Sequence, residues 1–260
     1  MKINRFVLVV LIAFTLLSPS AGHGQRMAVL NMMRYDDDMF HFGFVLGINQ
    51  SLVSIRPIAN LTSYTWDSTF IPDILPLPDS ARILTLTSRP TPGFVISIVS
   101  DLRLGEHFNL RFIPSLSFGD RDILYTIMTF RKGDTLLVDV TKKVPSTYIN
   151  FPLEVKFKAK RYNNFRPYLM AGVQFTLDLA SQAKKREQKN RDQKIIKFNS
   201  SDVYIEAGVG FDFYNEWFKM GIELKMMYGL MDMVKREENL YTNSIDKLSS
   251  KIFQLSFTFE

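Results

Sequence analysis

Between Phe40 and the last residue, several stretches place apolar side chains at every second position, the period of a strand with one apolar face. Phe40, Phe42, Phe44, Leu46 and Ile48 alternate with His41, Gly43, Gly47 and Asn49, interrupted only by Val45. The same pattern runs through Phe108, Leu110 and Phe112 to Leu116 and Phe118, and through Ile149, Phe151, Leu153, Val155 and Phe157. It returns in Leu169–Leu179, in Val203–Phe213, in Phe218–Met226 and in Phe253–Phe259. A weaker stretch spans roughly 93–104, around Phe94, Ile96 and Ile98. Counting it, the pattern predicts eight strands. Each is about 9–11 residues or longer, the length of a tilted membrane-crossing strand and about twice that of an ordinary one.

The connectors alternate in length. Long ones are expected at 53–92, 131–140, 182–199 and 231–249, and tight ones at Gly105–Glu106, Arg161–Asn164 and Asn215–Glu216. That alternation marks an all-β, eight-stranded antiparallel up-and-down transmembrane β-barrel with long outer loops and short periplasmic turns. An even strand number puts both termini in the periplasm. The competing architecture, a secreted β-sandwich, rarely sustains strands this long.

Lipid offers no hydrogen bonds, so the uniform apolar face must point outward and the mixed face into the lumen. Glu154, Glu206, Glu223, Asp178 and Asp212 would there meet Arg111, Lys156, Lys158, Lys219 and Lys225. Eight strands leave a lumen that side chains can fill. Tyr162, Phe165, Tyr214, Trp217 and Phe218 gather at the short turns, as an interfacial aromatic girdle would.

Ahead of the strands, Lys2 and Arg5 precede an apolar run from Phe6 to Leu17 and then Ser18, Pro19, Ser20, Ala21 and Gly22. This is the layout of a secretory signal peptide, too short for a spanning helix of about 20 residues. The expected organisation is a signal at 1–22, cleaved after Gly22 or Gly24, a periplasmic linker at 23–39 and the barrel at 40–260.

Composition adds exclusions. The chain has no cysteine, which removes disulfide scaffolds, thiolate chemistry and lipidation at the processed terminus. Its formal charge of +6 is mild and concentrates in Lys184, Lys185, Arg186, Lys189, Arg191, Lys194 and Lys197. One basic loop of this kind reads as a solvated surface beside anionic glycolipid or as a dock for an acidic partner, not as a nucleic-acid interface.

No motif brings catalysis. His23, His41 and His107 are scattered, and Glu206 with Glu223 read as parts of an ion network. Asp36-Asp37-Asp38 lacks the spacing and glycine of a calcium loop and reads as solvated linker. Gly208-Val209-Gly210 lacks the third glycine of a dinucleotide fingerprint and reads as small residues making room in the lumen. No catalytic, cofactor-binding or metal-binding residue is assigned, and no cofactor. One loop feature stands apart: Phe70, Ile71, Ile74, Leu75 and Leu77 interleave with Pro72, Pro76 and Pro78. An apolar segment of this kind either folds over the barrel mouth or contacts a partner.

Beyond the pattern, particular strings resemble the PorT family (also called SprT), outer-membrane β-barrel proteins of the type IX secretion system. They are His41-Phe-Gly-Phe-Val-Leu-Gly-Ile-Asn49, Pro92-Gly-Phe94, Leu102-Arg-Leu-Gly-Glu106 and Asn109-Leu-Arg-Phe-Ile-Pro-Ser-Leu-Ser-Phe-Gly119. Further along come Asp178-Leu-Ala-Ser-Gln-Ala-Lys-Lys185, Gly208-Val-Gly-Phe-Asp-Phe213, Tyr241-Thr-Asn-Ser-Ile-Asp246 and Ser250-Lys-Ile-Phe-Gln-Leu-Ser-Phe-Thr-Phe-Glu260. The resemblance implies a non-enzymatic component supporting export of cargo with C-terminal sorting domains, and gliding motility where present. It supplies no catalytic residue. Expected partners are outer-membrane lipid and other secretion proteins, reached through loops 53–92 and 182–199 or the periplasmic turns, with no nucleic acid and no small-molecule substrate. The alternative is a stand-alone outer-membrane barrel acting as a surface adhesin, or else a membrane-embedded hydrolase.

Overall fold

A computed structural model describes residues 29–70, 74, 77–179, 198–237 and 239–260. The expected signal at 1–22 and the basic cluster from Lys184 to Lys197 lie outside these residues. Asn31–Glu260 forms one compact unit.

Among the described residues eleven strands build it where eight were expected: β1 (Phe40–Pro57), β2 (Trp66–Asp67), β3 (Ser80–Arg89), β4 (Thr91–Arg103), β5 (Phe108–Phe112), β6 (Ser115–Arg131), β7 (Asp134–Lys158), β8 (Phe165–Asp178), β9 (Ser201–Tyr214), β10 (Lys219–Gly229) and β11 (Ile245–Phe259). A four-residue helix, α1 (Leu240–Asn243), precedes the last strand. All pairings are antiparallel, and the order β1-β11-β10-β9-β8-β7 continues through β5 and β6 to β4. β4 then pairs with β1, from Phe40↔Leu102 to Ser51↔Thr91, so the hydrogen-bonded circuit closes on itself. β3 and β2 extend from β6 as a side branch.

One of the three extra strands comes from an interruption. β5 and β6 keep a single register against β4 and against β7, on either side of Ile113–Pro114. Proline has no amide hydrogen to give, so the ladder breaks there, but the Pro114 carbonyl still accepts from Ile98 N–H at 3.1 Å. Ile113 N–H likewise still donates to Pro152 O at 3.2 Å.

The other differences lie where long loops were expected. Region 53–92 holds the end of β1, all of β2 and β3, and the start of β4. Region 131–140 is no loop: β6 and β7 join through the two-residue turn Lys132–Gly133, with φ of 48° and 91°. Two consecutive positive φ values make the tight hairpin that matches strand twist. Leu136-Leu137 and Lys142-Lys143 break the alternation that would have revealed the strand. Region 231–249 carries α1 and the start of β11. The three short turns fall where expected, between Arg103 and Phe108, Lys158 and Phe165, and Tyr214 and Lys219.

Burial sorts the strand faces. Phe42, Ile48, Ile98, Leu153, Leu169, Val173, Ile205 and Leu224 point outward and are exposed, whereas Glu154, Lys156, Asp212, Glu223 and Lys225 point inward and are buried. Val45, the break in the first alternation, faces inward and packs on Val99 and Ile113.

Candidate functional site

The interior is layered along its length. Its charged layer lies toward the short turns. Arg111, on β5, sits at the centre: Nη1 meets Glu223 Oε1 at 2.6 Å, and Asp101, Glu154 and Glu260 each lie at 3.8 Å. All of these side chains are buried. Lys225 pairs with Glu154 and, at 3.4 Å, with Glu223. Lys156 donates to Asp212 at 2.8 Å, and its ammonium lies 3.6 Å from the Tyr168 ring centre. Lys219 pairs with Glu260. Buried charges are tolerated only when opposite charges and donors surround them, and here they do. Tyr168 O–H also donates to Glu223 at 2.8 Å, and its side chain fills the space a side chain at Gly210 would need, with ring carbons and the hydroxyl oxygen 2.4–2.6 Å from an ideal Cβ there. Gly210 thus makes room, as expected.

Sequence reasoning brought together Glu154, Glu223 and Asp212 with Arg111, Lys156, Lys219 and Lys225, and the structure does the same. It missed Asp101 and Glu260. Glu206 is buried but forms no ion pair among the described residues; Lys225 goes to Glu154 and Glu223 instead.

Next along the interior is an uncharged polar layer. Asn49 Nδ2 donates to Ser117 Oγ at 3.0 Å, and Asn150 Nδ2 to Ser115 Oγ at 3.0 Å. Thr176 Oγ1 donates to Asn150 Oδ1 at 3.0 Å. Arg121 closes this layer, donating to Ser250 Oγ at 2.9 Å and stacking over Tyr148. Beyond it the inner face turns apolar: Val53, Ile83, Ile123, Tyr125, Ile127 and Val144 pack with Leu240, Tyr241 and Leu248. Trp66, Phe70 and Ile74 join this cluster. The apolar segment between β1 and β3 therefore folds over this end, the first of its two expected fates. Ile71, Pro72, Leu75 and Pro76 lie outside the described residues, and Leu77 is exposed.

The opposite end is closed by the segment before β1. A single 3₁₀ turn, Tyr35–Asp37, places Asp36 Oδ1 2.8 Å from Arg166 Nη1, and Tyr214 O–H donates to the same oxygen at 3.2 Å. Tyr35 O–H donates to Glu260 Oε2 at 2.8 Å, and its ring stacks on His41 at 4.0 Å with Lys219 over it. Burial and then the Glu260 carboxylate push the Tyr35 phenol well above its usual range. Asn31 Nδ2 donates to Tyr214 O at 3.0 Å. Asp36, expected as solvated linker, is a fixed contact. Tyr214, expected in an outward girdle, faces inward and is buried; Tyr162 and Trp217 are strongly exposed, as a girdle requires.

Among the described residues, no group of three or more His, Cys, Asp or Glu is arranged to hold a metal. His41 and His107 are spent on backbone carbonyls, of Tyr35 and of Lys158.

A closed antiparallel circuit, apolar outside and charged within, defines an outer-membrane type of β protein. Residues 25–235 match the family described as outer membrane protein beta-barrel domain, and the chain belongs to it. No curated protein matches the chain. Among solved structures it is similar to Neisserial surface protein A (NspA), at 10% identity and a TM-score of 0.38, covering 85% of this chain and 98% of that one. It is also similar to the outer membrane protein OprG from Pseudomonas aeruginosa, at 14% identity and a TM-score of 0.41, covering 86% and 97%.

Proposed function

We propose that the closed circuit is an eight-stranded transmembrane barrel, β5 and β6 counting as one strand, delivered by a cleaved signal at 1–22 with both termini in the periplasm. We infer further that it is a non-enzymatic component of type IX secretion that holds other proteins and is not itself the conduit. The observation that carries the scaffold reading is the filled interior. A polypeptide cannot pass the Arg111–Glu223–Glu154–Lys225 layer and the apolar cap beyond it. The assignment to type IX secretion rests on the PorT-like strings. Partners would be met at the outer extensions or the periplasmic turns.

Deletion of the gene tests this. Loss of export of cargo carrying C-terminal sorting domains, restored by the intact chain, supports it. Co-purification from detergent-solubilised membranes then identifies the proteins held. Normal export with altered surface binding would favour the adhesin reading, which the long β6–β7 hairpin makes the one alternative with a structural basis.

A further inference from the structure

β7 is 25 residues long, yet β8 pairs with it only from Tyr148 to Lys158. From Asp134 to Thr147 it is bonded to β6 alone among the described residues. The direction of its amides can be read from the neighbours. Phe130 O accepts from Asp79 N–H, so its partner Thr135 makes no ladder bond to β6. Pro152 O and Lys158 N–H bond on the β5–β6 side, to Ile113 and His107. Even-numbered residues of β7 therefore face β6, and odd-numbered ones face the open edge. Thr135, Leu137, Asp139, Thr141 and Lys143 each present an amide N–H and a carbonyl there, and Pro145 only a carbonyl.

An edge of this kind is a template for another strand unless it is shielded. Among the described residues nothing shields this one: positions 134–137, 139, 141 and 143 are exposed, among them Leu137. Its inner face is fixed, because Val140 and Val144 pack on the apolar cap. The edge is thus packed on one face and, among the described residues, open along its length. Asp139 and Lys143 flank Thr141 on one face and form no ion pair among the described residues.

The geometry points to this edge as a β-augmentation site for an extended segment of another protein. The segment runs antiparallel, in the place β8 vacates above Tyr148. Amide parity and charge set its chemistry: an acidic residue opposite Lys143 and, four residues later, a basic residue opposite Asp139, with β-branched residues between. That this edge lies outside the cell rests on the barrel reading above; the pairing chemistry does not.

The probe is a fluorescent eleven-residue peptide of Thr and Val with Glu third and Lys seventh, titrated onto the detergent-solubilised full chain. Saturable binding is expected, and exchanging the peptide's Glu and Lys should weaken it about tenfold. Thr141→Pro removes one outward amide without touching the β6 ladder, and should abolish binding. Asp139→Lys with Lys143→Glu should reverse the preference between the two peptides. No saturable binding, or binding indifferent to Thr141→Pro, overturns the proposal. So does self-association of the chain that Thr141→Pro abolishes, because the occupant is then a second copy. Each sample is also run boiled and unboiled on a denaturing gel. A heat-dependent shift without peptide binding sinks the edge alone, and binding without the shift sinks the barrel reading alone.

Discussion

Arg111 and Glu223 stand 112 positions apart in sequence and meet at 2.6 Å, both side chains wholly shielded from solvent. Neither is on a strand that pairs with the other's, so their contact spans the interior from β5 to β10. Removing one member leaves the other charged in a dry, crowded layer. Glu223→Gln should cost about 3–5 kcal/mol of folding stability, the usual loss when one half of a buried pair goes. Arg111→Gln with Glu223→Gln should cost less than the two single changes together. Urea unfolding in detergent micelles, followed by gel mobility, reads both values, and strict additivity would refute the coupling.

Leu153 and Val173 are register partners on β7 and β8, and both point outward. If they lie near the bilayer midplane, Leu153→Arg and Val173→Arg should each destabilise by about 2–4 kcal/mol. Normal insertion of both variants would mean that the exposed apolar face does not meet lipid.

Orientation has its own check. An epitope inserted between Lys132 and Gly133, at the tip of the β6–β7 hairpin, should be stained on intact cells. One at Asn163, in the short turn between β7 and β8, should be stained only after the outer membrane is opened. The reverse pattern would invert the assignment of the ends.

A filled interior should not conduct. Purified chain in a planar bilayer should show no stable step of porin size. A large open state would contradict both the ion layer and the scaffold role built on it.

How far the sequence could be read depended on the solvent each segment faces. Where one side meets an apolar medium, every second residue is constrained, and Phe40–Ile48, Ile149–Phe157 and Leu169–Leu177 declare themselves. At the tip of the β6–β7 hairpin both faces are exposed, the constraint lapses, and Leu136-Leu137 can stand side by side. The ion layer was legible because charges at every second position must face the interior. Asp36 was not, because three consecutive acids carry no periodicity. What holds Asp36 comes from Arg166 and Tyr214, at distant points of the chain. Glu206 shows the limit from the other side: its inward face was predictable, but not that Lys225 would pair with Glu154 and Glu223 instead.

The segment from Asn31 to Asp37 is gripped by Arg166 of β8, Tyr214 of β9 and Glu260 after β11. These three holds come together only once the strands that carry them have been paired in register. The tether therefore works as a receipt for assembly. A strand not yet in place leaves the stretch ahead of β1 without the hold that strand carries. When the circuit is complete, the same stretch is stowed.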